Sequence, residues 1–287
     1  MSLKSLRIGG VPEHFNLPWH LACEAGAFAD AGLDVEYRDF PGGTGAMTGA
    51  LKNDELNVAI VLSEGGVANV LNGAPNRLCK VYVDSPLIWG IHVPASSRFE
   101  TMDEARGSRY AISRFGSGSH LMAIVDAAER GWELDALQFV KVGGLAGALA
   151  GLPAGDAELF MWERFMTQPH VDDGTFRRID ERPTKWPSFM ICATLDLLES
   201  RADELRKALE IVSRFCKNVE TRSDNVQLIA DRYSLSEGDT AEWLDNICWS
   251  DSFDRPDEEL AEVISYLQRL EIVKTRNANP DDVWFQL

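Results

Sequence analysis

The segment of residues 17–45 constrains the fold of this chain more than any other, because it carries three local patterns in direct succession. Apolar residues recur at helical spacing across Leu17–Ala31, and apolar and charged residues alternate across Asp34–Phe40 as in a half-buried strand. Gly42–Gly45 then makes a small-residue turn into a second helix, where backbone N–H groups could approach a bound group. The alternative is that these glycines only turn the chain tightly. The candidate ligand-binding residues of this turn are Gly42, Gly43 and Thr44.

Strand and helix patterns alternate through the first third of the chain, which is typical of a parallel sheet with helical crossovers. A polar loop at Pro94–Arg98 and a short acidic helix follow, and then a second unit of the same kind begins. Strands are predicted at Ser5–Gly10, Asp34–Phe40, Asn57–Leu62, Leu78–Val83, Leu87–Val93, Arg109–Ser113, Leu137–Val142 and Glu158–Trp162. Helices are predicted at Leu17–Ala31, Gly45–Asn53, Glu64–Asn72, Ser117–Arg130 and Gly144–Leu152.

The sequence predicts an α/β protein of two lobes, with the second lobe inserted into the first. Ser188–Ala193 reads as a strand that returns to the first sheet, and the chain after Leu195 has helical periodicity and could cover that sheet. The predicted first lobe comprises residues 1–93 and 188–287, and the inserted lobe comprises residues 94–187. Two connecting strands between lobes would suit hinge closure over a cleft.

Charge and hydropathy exclude several classes of partner. A formal net charge of −17 over 287 residues argues against nucleic acid and anionic membrane surfaces, since either requires a basic patch. No stretch approaches the roughly 18 continuous apolar residues that insertion across a bilayer requires. Met1–Ile8 lacks the apolar core of a secretory signal, so the sequence as it stands predicts a cytoplasmic protein. A protein whose signal had been removed would instead be periplasmic or extracellular.

A second glycine-rich turn lies within Ser113–His120, between a predicted strand and a predicted helix. Its hydroxyls and exposed amides suit a carboxylate, phosphate or sulfonate group, with the guanidinium of Arg114 as charge partner. The spacing matches neither the P-loop nor the dinucleotide fingerprint, and many strand-to-helix junctions contain such a turn. The candidate ligand-binding residues here are Arg114, Ser117, Gly118, Ser119 and His120.

Two glutamates, with Ser63 next to one of them, lie directly after predicted strands. Open α/β sheets bind ligands beyond the carboxyl ends of their strands, so Glu64 and Glu163 are placed where a cleft should lie. Their carboxylates could accept hydrogen bonds from an amine or an aminopyrimidine. The alternative is that each is an acid in the first turn of a helix, favoured there by the helix dipole.

Four tryptophans fall near the predicted cleft or hinge. Flat aromatic side chains could sandwich a planar ligand, although tryptophan also fills protein cores. These residues are Trp19, Trp89, Trp162 and Trp186.

Motifs for metal binding and nucleophilic catalysis are not evident. The five histidines include no close pair at metal-ligand spacing and no His-Glu-x-x-His. Gly116–Ser119 comes nearest to the nucleophile elbow Gly-x-Ser-x-Gly, but it lacks the second glycine at the required position. The sequence therefore predicts no metal, no cofactor and no catalytic set.

Three segments, Pro18–Thr44, Ala50–Ile60 and Gly116–His120, resemble the type II periplasmic-binding-protein fold. Within it the chain looks most like the solute-binding proteins for nitrate, sulfonate, taurine and thiamine-pyrimidine precursors. Ser85–Val93 and Phe160–Glu163, with Lys185-Trp186-Pro187, resemble a subgroup of homologues without an export signal. The resemblance implies two hinged lobes with the ligand between them. The cleft positions it implies are Asn16, Trp19, Gly43, Thr44, Ser63, Glu64, Ser117, Gly118, Ser119 and Glu163.

Two functions are compatible with these features. The first is a monomeric binding protein that closes its lobes over a small anionic or amino-heterocyclic metabolite, with an ABC-type permease as partner if the protein is exported. The second is a cytosolic enzyme of cofactor biosynthesis, of the thiamine-pyrimidine or menaquinone type, with Glu64, Glu163 or His120 as acid or base. The cysteine-rich motif of the fungal pyrimidine synthases of this superfamily is missing, which favours the binding protein.

Overall fold

Eight strands form one mixed sheet in the computed structural model, which describes residues 5–287. The strand order is β2-β1-β3-β8-β4-β7-β5-β6, so the predicted α/β class is confirmed. The strands are β1 (Leu6–Gly10), β2 (Val35–Asp39), β3 (Val58–Leu62), β4 (Asn76–Pro94), β5 (Arg109–Ile112), β6 (Gln138–Lys141), β7 (Leu159–Glu163) and β8 (Phe176–Thr194).

Helices connect the strands and then account for most of the chain after β8. They are α1 (Leu17–Glu24), α2 (Ala27–Asp30), α3 (Gly43–Lys52), α4 (Ser63–Leu71), α5 (Gly118–Glu129), α6 (Leu145–Ala154), α7 (Arg164–Asp172), α8 (Leu195–Thr221), α9 (Asn225–Tyr233), α10 (Glu237–Asn246), α11 (Asp257–Arg269) and α12 (Pro280–Val283).

The two long central strands, β4 and β8, join two parallel three-stranded groups. β1 pairs in parallel with β2 and β3, and β5 pairs in parallel with β6 and β7. β8 pairs with β3 over residues 189–193, whereas β4 pairs with β7 over residues 89–92. We call the part built on β1, β2 and β3 the first lobe and the part built on β5, β6 and β7 the second lobe. The predicted boundaries at residues 93 and 187 stay predictions, because β4 and β8 run through both lobes.

The C-terminal helices cover the first lobe, as the sequence predicted. The apolar face of α8 packs on α1, and α11 packs on α4 and β8. Leu78 of β4 also accepts a backbone hydrogen bond from Phe285, close to the C-terminus. Helix α10 reaches the second lobe as well, where Glu242 forms an ion pair with Arg164 at 2.5 Å.

Three predicted elements differ from the structure. The predicted helix Leu17–Ala31 is two helices, because Gly26 adopts a left-handed conformation (φ +68°) between α1 and α2. The short acidic helix after Pro94–Arg98 is a series of turns. The two strands predicted within residues 78–93 form the single strand β4, whose register with β8 shifts near Pro86.

The sequence analysis missed the first part of β8 and the whole of α7. Residues 176–187 include several charged side chains of both signs and no apolar run, and some of these side chains form ion pairs. The guanidinium of Arg182 contacts Asp126 at 2.6 Å, and that of Arg177 contacts Glu100 at 2.6 Å. Polar strands of this kind have no hydrophobic pattern from which to predict them.

Within residues 5–287, no helix is both long enough and apolar enough to cross a lipid bilayer.

Candidate functional site

A small cavity lies between the two lobes; its volume is about 460 Å³ when the adjoining space open to solvent is included. Parallel strands of both lobes end here, and ligands of open α/β sheets bind beyond such strand ends. We call it the inner cavity. It is lined by Val11, Glu13, Gly42, Gly43, Thr44, Leu62, Leu87, Trp89, Ser113, Arg114, Ser117, Gly118, Ser119, Trp162, Glu163 and Phe189.

The hydroxyl groups at the start of α5 are occupied by the turn itself. Ser119 Oγ accepts a hydrogen bond from the backbone N of Ser113 at 3.0 Å, and Ser117 Oγ donates to the carbonyl of Arg114 at 2.7 Å. The ring of His120 accepts a hydrogen bond from the backbone N of Gly116 at 3.0 Å and does not line the inner cavity. These side chains therefore shape the turn, and Ser117, Gly118 and Ser119 form part of the cavity wall.

The guanidinium of Arg114 reaches from the second lobe to the first. Its Nη1 donates to the carbonyl oxygen of Gly42 at 2.5 Å, at the start of α3. Its Nη2 is buried and has no hydrogen-bond partner among residues 5–287. Thr44 holds the same turn by accepting a hydrogen bond at Oγ1 from the backbone N of Leu62 at 2.9 Å. The lobes are thus in direct contact beside the inner cavity.

Two carboxyl groups, one from each lobe, face the inner cavity. Glu163 ends β7, is 4% exposed and accepts a hydrogen bond at Oε2 from the backbone N of Met166 at 2.7 Å. Burial raises the pKa of Glu163 to about 7. Glu13 follows β1 and is 8% exposed. Burial, together with repulsion by Glu163, raises the pKa of Glu13 to about 8, and a hydrogen bond with Trp162 acts in the opposite direction.

Sequence reasoning missed Glu13. It lies in Val11-Pro12-Glu13, which has neither helical periodicity nor a glycine-rich turn. Its position directly after the first strand is the same signal that singled out Glu64 and Glu163, and it could have been applied here.

The remaining wall of the inner cavity is apolar and aromatic. Trp89 is 4% exposed, and its indole Nε1 has no hydrogen-bond partner within the described chain. The ring of Trp162 stacks on Phe160 with 5.4 Å between ring centroids and is half-buried at the cavity. A planar ligand would therefore meet aromatic surface on this wall.

Three predicted site residues, Ser63, Glu64 and Trp186, link α4 to β8 and do not line the inner cavity. Glu64 Oε2 accepts a hydrogen bond from Trp186 Nε1 at 2.9 Å, and Ser63 donates to the carbonyl of Pro187. Burial raises the pKa of Glu64 to about 7. These contacts support the junction between the lobes.

Asn16 and Trp19 also lie outside the cavity lining. The amide Nδ2 of Asn16 donates to the carbonyl of Val11 at 2.8 Å, which holds the loop that carries Glu13. Trp19 is fully buried and stacks on Phe28 with 6.0 Å between ring centroids. The structure thus places Asn16 behind the cavity and Trp19 in the core of the first lobe.

Among the residues that the structure describes, no three His, Cys, Asp or Glu side chains are grouped so that they could hold a metal ion. The absence of a required metal or cofactor stays a prediction.

Replacing Gly45 with alanine is expected to separate the lobes at this contact. A Cβ there would lie 2.6 Å from Arg114 Nε, so the flexible guanidinium would have to leave Gly42. Gly49 lies on the same helix with no atom near its Cβ position, so G49A is the matched control and should stabilise α3 by about 0.5–1 kcal/mol. Small-angle scattering should show a larger radius of gyration for G45A than for G49A. Equal radii would contradict the role of the Arg114–Gly42 contact in holding the lobes together.

Comparison of sequences shows one family likeness. A family model described as Ca3427-like PBP matches residues 89–182, which include part of β4, β5 to β7 and the start of β8. No curated protein sequence matches this chain.

Comparison of structures shows the fold over the whole chain. The Candida albicans CA3427 gene product, described as having the generic periplasmic binding protein fold, superposes with a TM-score of 0.88 at 21% identity, covering 99% of this chain and 97% of that one. The alkanesulfonate-binding protein SsuA from Xanthomonas axonopodis pv. citri, bound to MOPS, gives 0.82 at 14% identity and 100% coverage of both chains. The periplasmic nitrate-binding protein NrtA from Synechocystis PCC 6803 gives 0.74 at 13% identity, with coverage of 99% and 86%. The chain has the periplasmic binding protein fold, and the resemblance found in the sequence is confirmed at this level.

Proposed function

We propose that this chain is a small-molecule binding protein whose lobes close over a ligand in the inner cavity. The observation that carries the proposal is that both lobes line one cavity, while Arg114 of the second lobe is hydrogen-bonded to Gly42 of the first. Ligand contacts to both lobes would favour the closed arrangement over an open one. The sulfonate and nitrate binders of the same fold support solute binding in general.

The ligand we favour is an amino-heterocycle. Its amino group would donate to the carboxyls of Glu13 and Glu163, and its ring would pack on the aromatic wall that Trp89 and Trp162 contribute. A simple anion such as a sulfonate would instead lie beside two buried carboxyls, whose ionised forms repel it. A thiamine-type pyrimidine is one member of the favoured class, and an acidic substituent near Arg114 is compatible with it.

We propose that the protein acts as a monomer, because both lobes of a single copy contribute to the wall of the inner cavity. Delivery to an ABC-type permease would apply to an exported form, and the alternative of a cytosolic enzyme would use the same cavity. The enzyme requires that the bound compound leaves as a different molecule, whereas the binding protein releases it unchanged.

Native mass spectrometry on protein purified without denaturation would identify a retained ligand. Calorimetry should then show that 4-aminopyrimidine binds and methanesulfonate does not. E163Q should weaken 4-aminopyrimidine binding about tenfold or more, the effect of removing a charged hydrogen-bond acceptor, whereas E64Q should leave it unchanged. Tight binding of methanesulfonate alone would overturn the ligand class, and chemical conversion of the retained compound would overturn the binding function.

A further inference from the structure

A second cavity adjoins the inner cavity. It encloses about 900 Å³ including open space, and we call it the outer chamber. Val11, Glu13, Gly42, Gly43 and Trp162 line both cavities, so the two spaces meet at these residues. The outer chamber is further lined by Pro12, Pro41, Val142, Gly143, Gly144, Leu145, Ala146, Gly147 and Met166.

One wall of the outer chamber is a turn kept free of side chains. Gly143 and Gly144, which precede α6, have φ values of +88° and +156° that other residues rarely adopt. A Cβ on Gly147 would overlap the carbonyl group of Val142, with 2.8 Å to its carbon atom. The Cβ position of Gly144 lies 3.9 Å from the carbonyl oxygen of Pro41, so the turn approaches the first lobe. Gly143 and Gly144 thus add no side chain to this wall, and Gly147 lets the start of α6 pack closely on Val142.

The outer chamber differs from the inner cavity in charge. Glu13, at the junction, is the one ionisable side chain among the residues that line it. The other lining groups are backbone, proline rings and apolar side chains such as Leu145 and Met166. This lining has no lysine, arginine or histidine that could pair with a negative charge on a ligand. A positive charge on a ligand could pair only with the carboxyl of Glu13. The chamber therefore suits an uncharged group.

On the basis of the proposed function, we infer that the ligand has two parts. One part is a heterocyclic head with hydrogen-bond donors, which binds in the inner cavity. The other part is an uncharged chain, which passes Trp162 into the outer chamber. Glu13 and Trp162 would contact the ligand at the junction of the two parts, because they line both spaces. A head bound between Glu13 and Glu163 would have the outer chamber next to it, across Glu13 and Trp162. The glycine turn before α6 would then accommodate the chain without selecting a charged end.

Calorimetry with a series of probes tests this inference. The probes are 4-aminopyrimidine, its derivatives with one unbranched alkyl chain of two to six carbons, and one derivative of equal length that ends in a carboxylate. Each buried methylene should increase affinity about fourfold, the ratio that corresponds to about 0.8 kcal/mol per CH₂. The carboxylate-ended probe should bind more weakly than the alkyl probe of the same length, and tighter binding of it would overturn the uncharged chain.

A pair of variants tests where the alkyl chain of the probe binds. Ala146 lines the outer chamber in the first turn of α6, and Ala150 is exposed on the same helix outside that lining. A146F should remove the gain from the alkyl chain and leave 4-aminopyrimidine binding unchanged, whereas A150F should change neither. If 4-aminopyrimidine binds but alkyl chains add nothing, or add equally in A146F, the two-part ligand is wrong while the proposed function stands. If neither 4-aminopyrimidine nor any alkyl derivative binds, the two-part ligand and the amino-heterocycle proposed for the inner cavity are both wrong.

Discussion

The G118V variant is expected to lose 4-aminopyrimidine binding by at least about a hundredfold, which corresponds to about 2.7 kcal/mol. Gly118 begins α5 in the second lobe, and a Cβ there would overlap the Cδ1 of Leu62, a residue of the first lobe. It would also lie 2.9 Å from the indole of Trp89, a rigid ring that cannot yield as an alkyl chain end can. Valine adds two methyl groups to this contact, so the lobes cannot close as they do in the wild-type protein.

Closure and folding can be separated in this test. Because the overlap with Leu62 lies between lobes, the G118V protein should relieve that overlap by opening, keep its thermal unfolding cooperative and show a larger radius of gyration by small-angle scattering. Trimming the opposing side chain in the double variant G118V/L62A should restore part of the compactness. Wild-type affinity for 4-aminopyrimidine in G118V would contradict closure over the inner cavity.

Much of the fold follows from local pattern, because buried parallel strands and amphipathic helices have distinct periodicities. The alternation across residues 5–72 and the helices after Leu195 are predictable for this reason. The strand Phe176–Thr194 begins with ion-paired residues, and the helix break at Gly26 depends on backbone conformation within an unbroken apolar pattern. Neither signal is visible in hydrophobic periodicity.

The candidate site shows the same limit at the level of single side chains. The sequence places both Glu64 and Glu163 directly after a predicted strand and so treats them alike; in the structure Glu64 lies in the first turn of α4 and Glu163 is the last residue of β7. In the structure Glu64 is hydrogen-bonded to Trp186, which is 122 residues away, whereas Glu163 faces the inner cavity. Long-range packing decides which carboxylate is hydrogen-bonded to another side chain and which faces the cavity. Strand ends therefore predict where a cleft lies and leave open which of their side chains reach it.

The E13Q variant is expected to be more stable than wild type, by an amount that grows with pH. The pKa of Glu13 is raised from 4.5 to about 8 in the folded protein, so the folded state favours the protonated carboxyl. The protonated Glu13 carboxyl contributes its full stability below pH 4.5. This contribution is lost as the pH rises through 8, because the carboxyl must ionise while it is buried beside Glu163. Glutamine is neutral at every pH and avoids this loss, which amounts to about 1.4 kcal/mol for each pKa unit.

Urea unfolding of ligand-free E13Q and wild-type protein, followed from pH 5 to pH 9, measures this difference. The free energy of unfolding of E13Q relative to wild type should rise over that range and level off above pH 8, with Glu163 and Tyr233 as the titratable neighbours that modulate it. E158Q is the control, because Arg109 lowers the pKa of Glu158 and its effect should be constant above pH 6. A difference for E13Q that stays flat would show that Glu13 is ionised in the folded protein. Glu13 would then be a fixed negative charge in the inner cavity, which favours a cationic head over a neutral one.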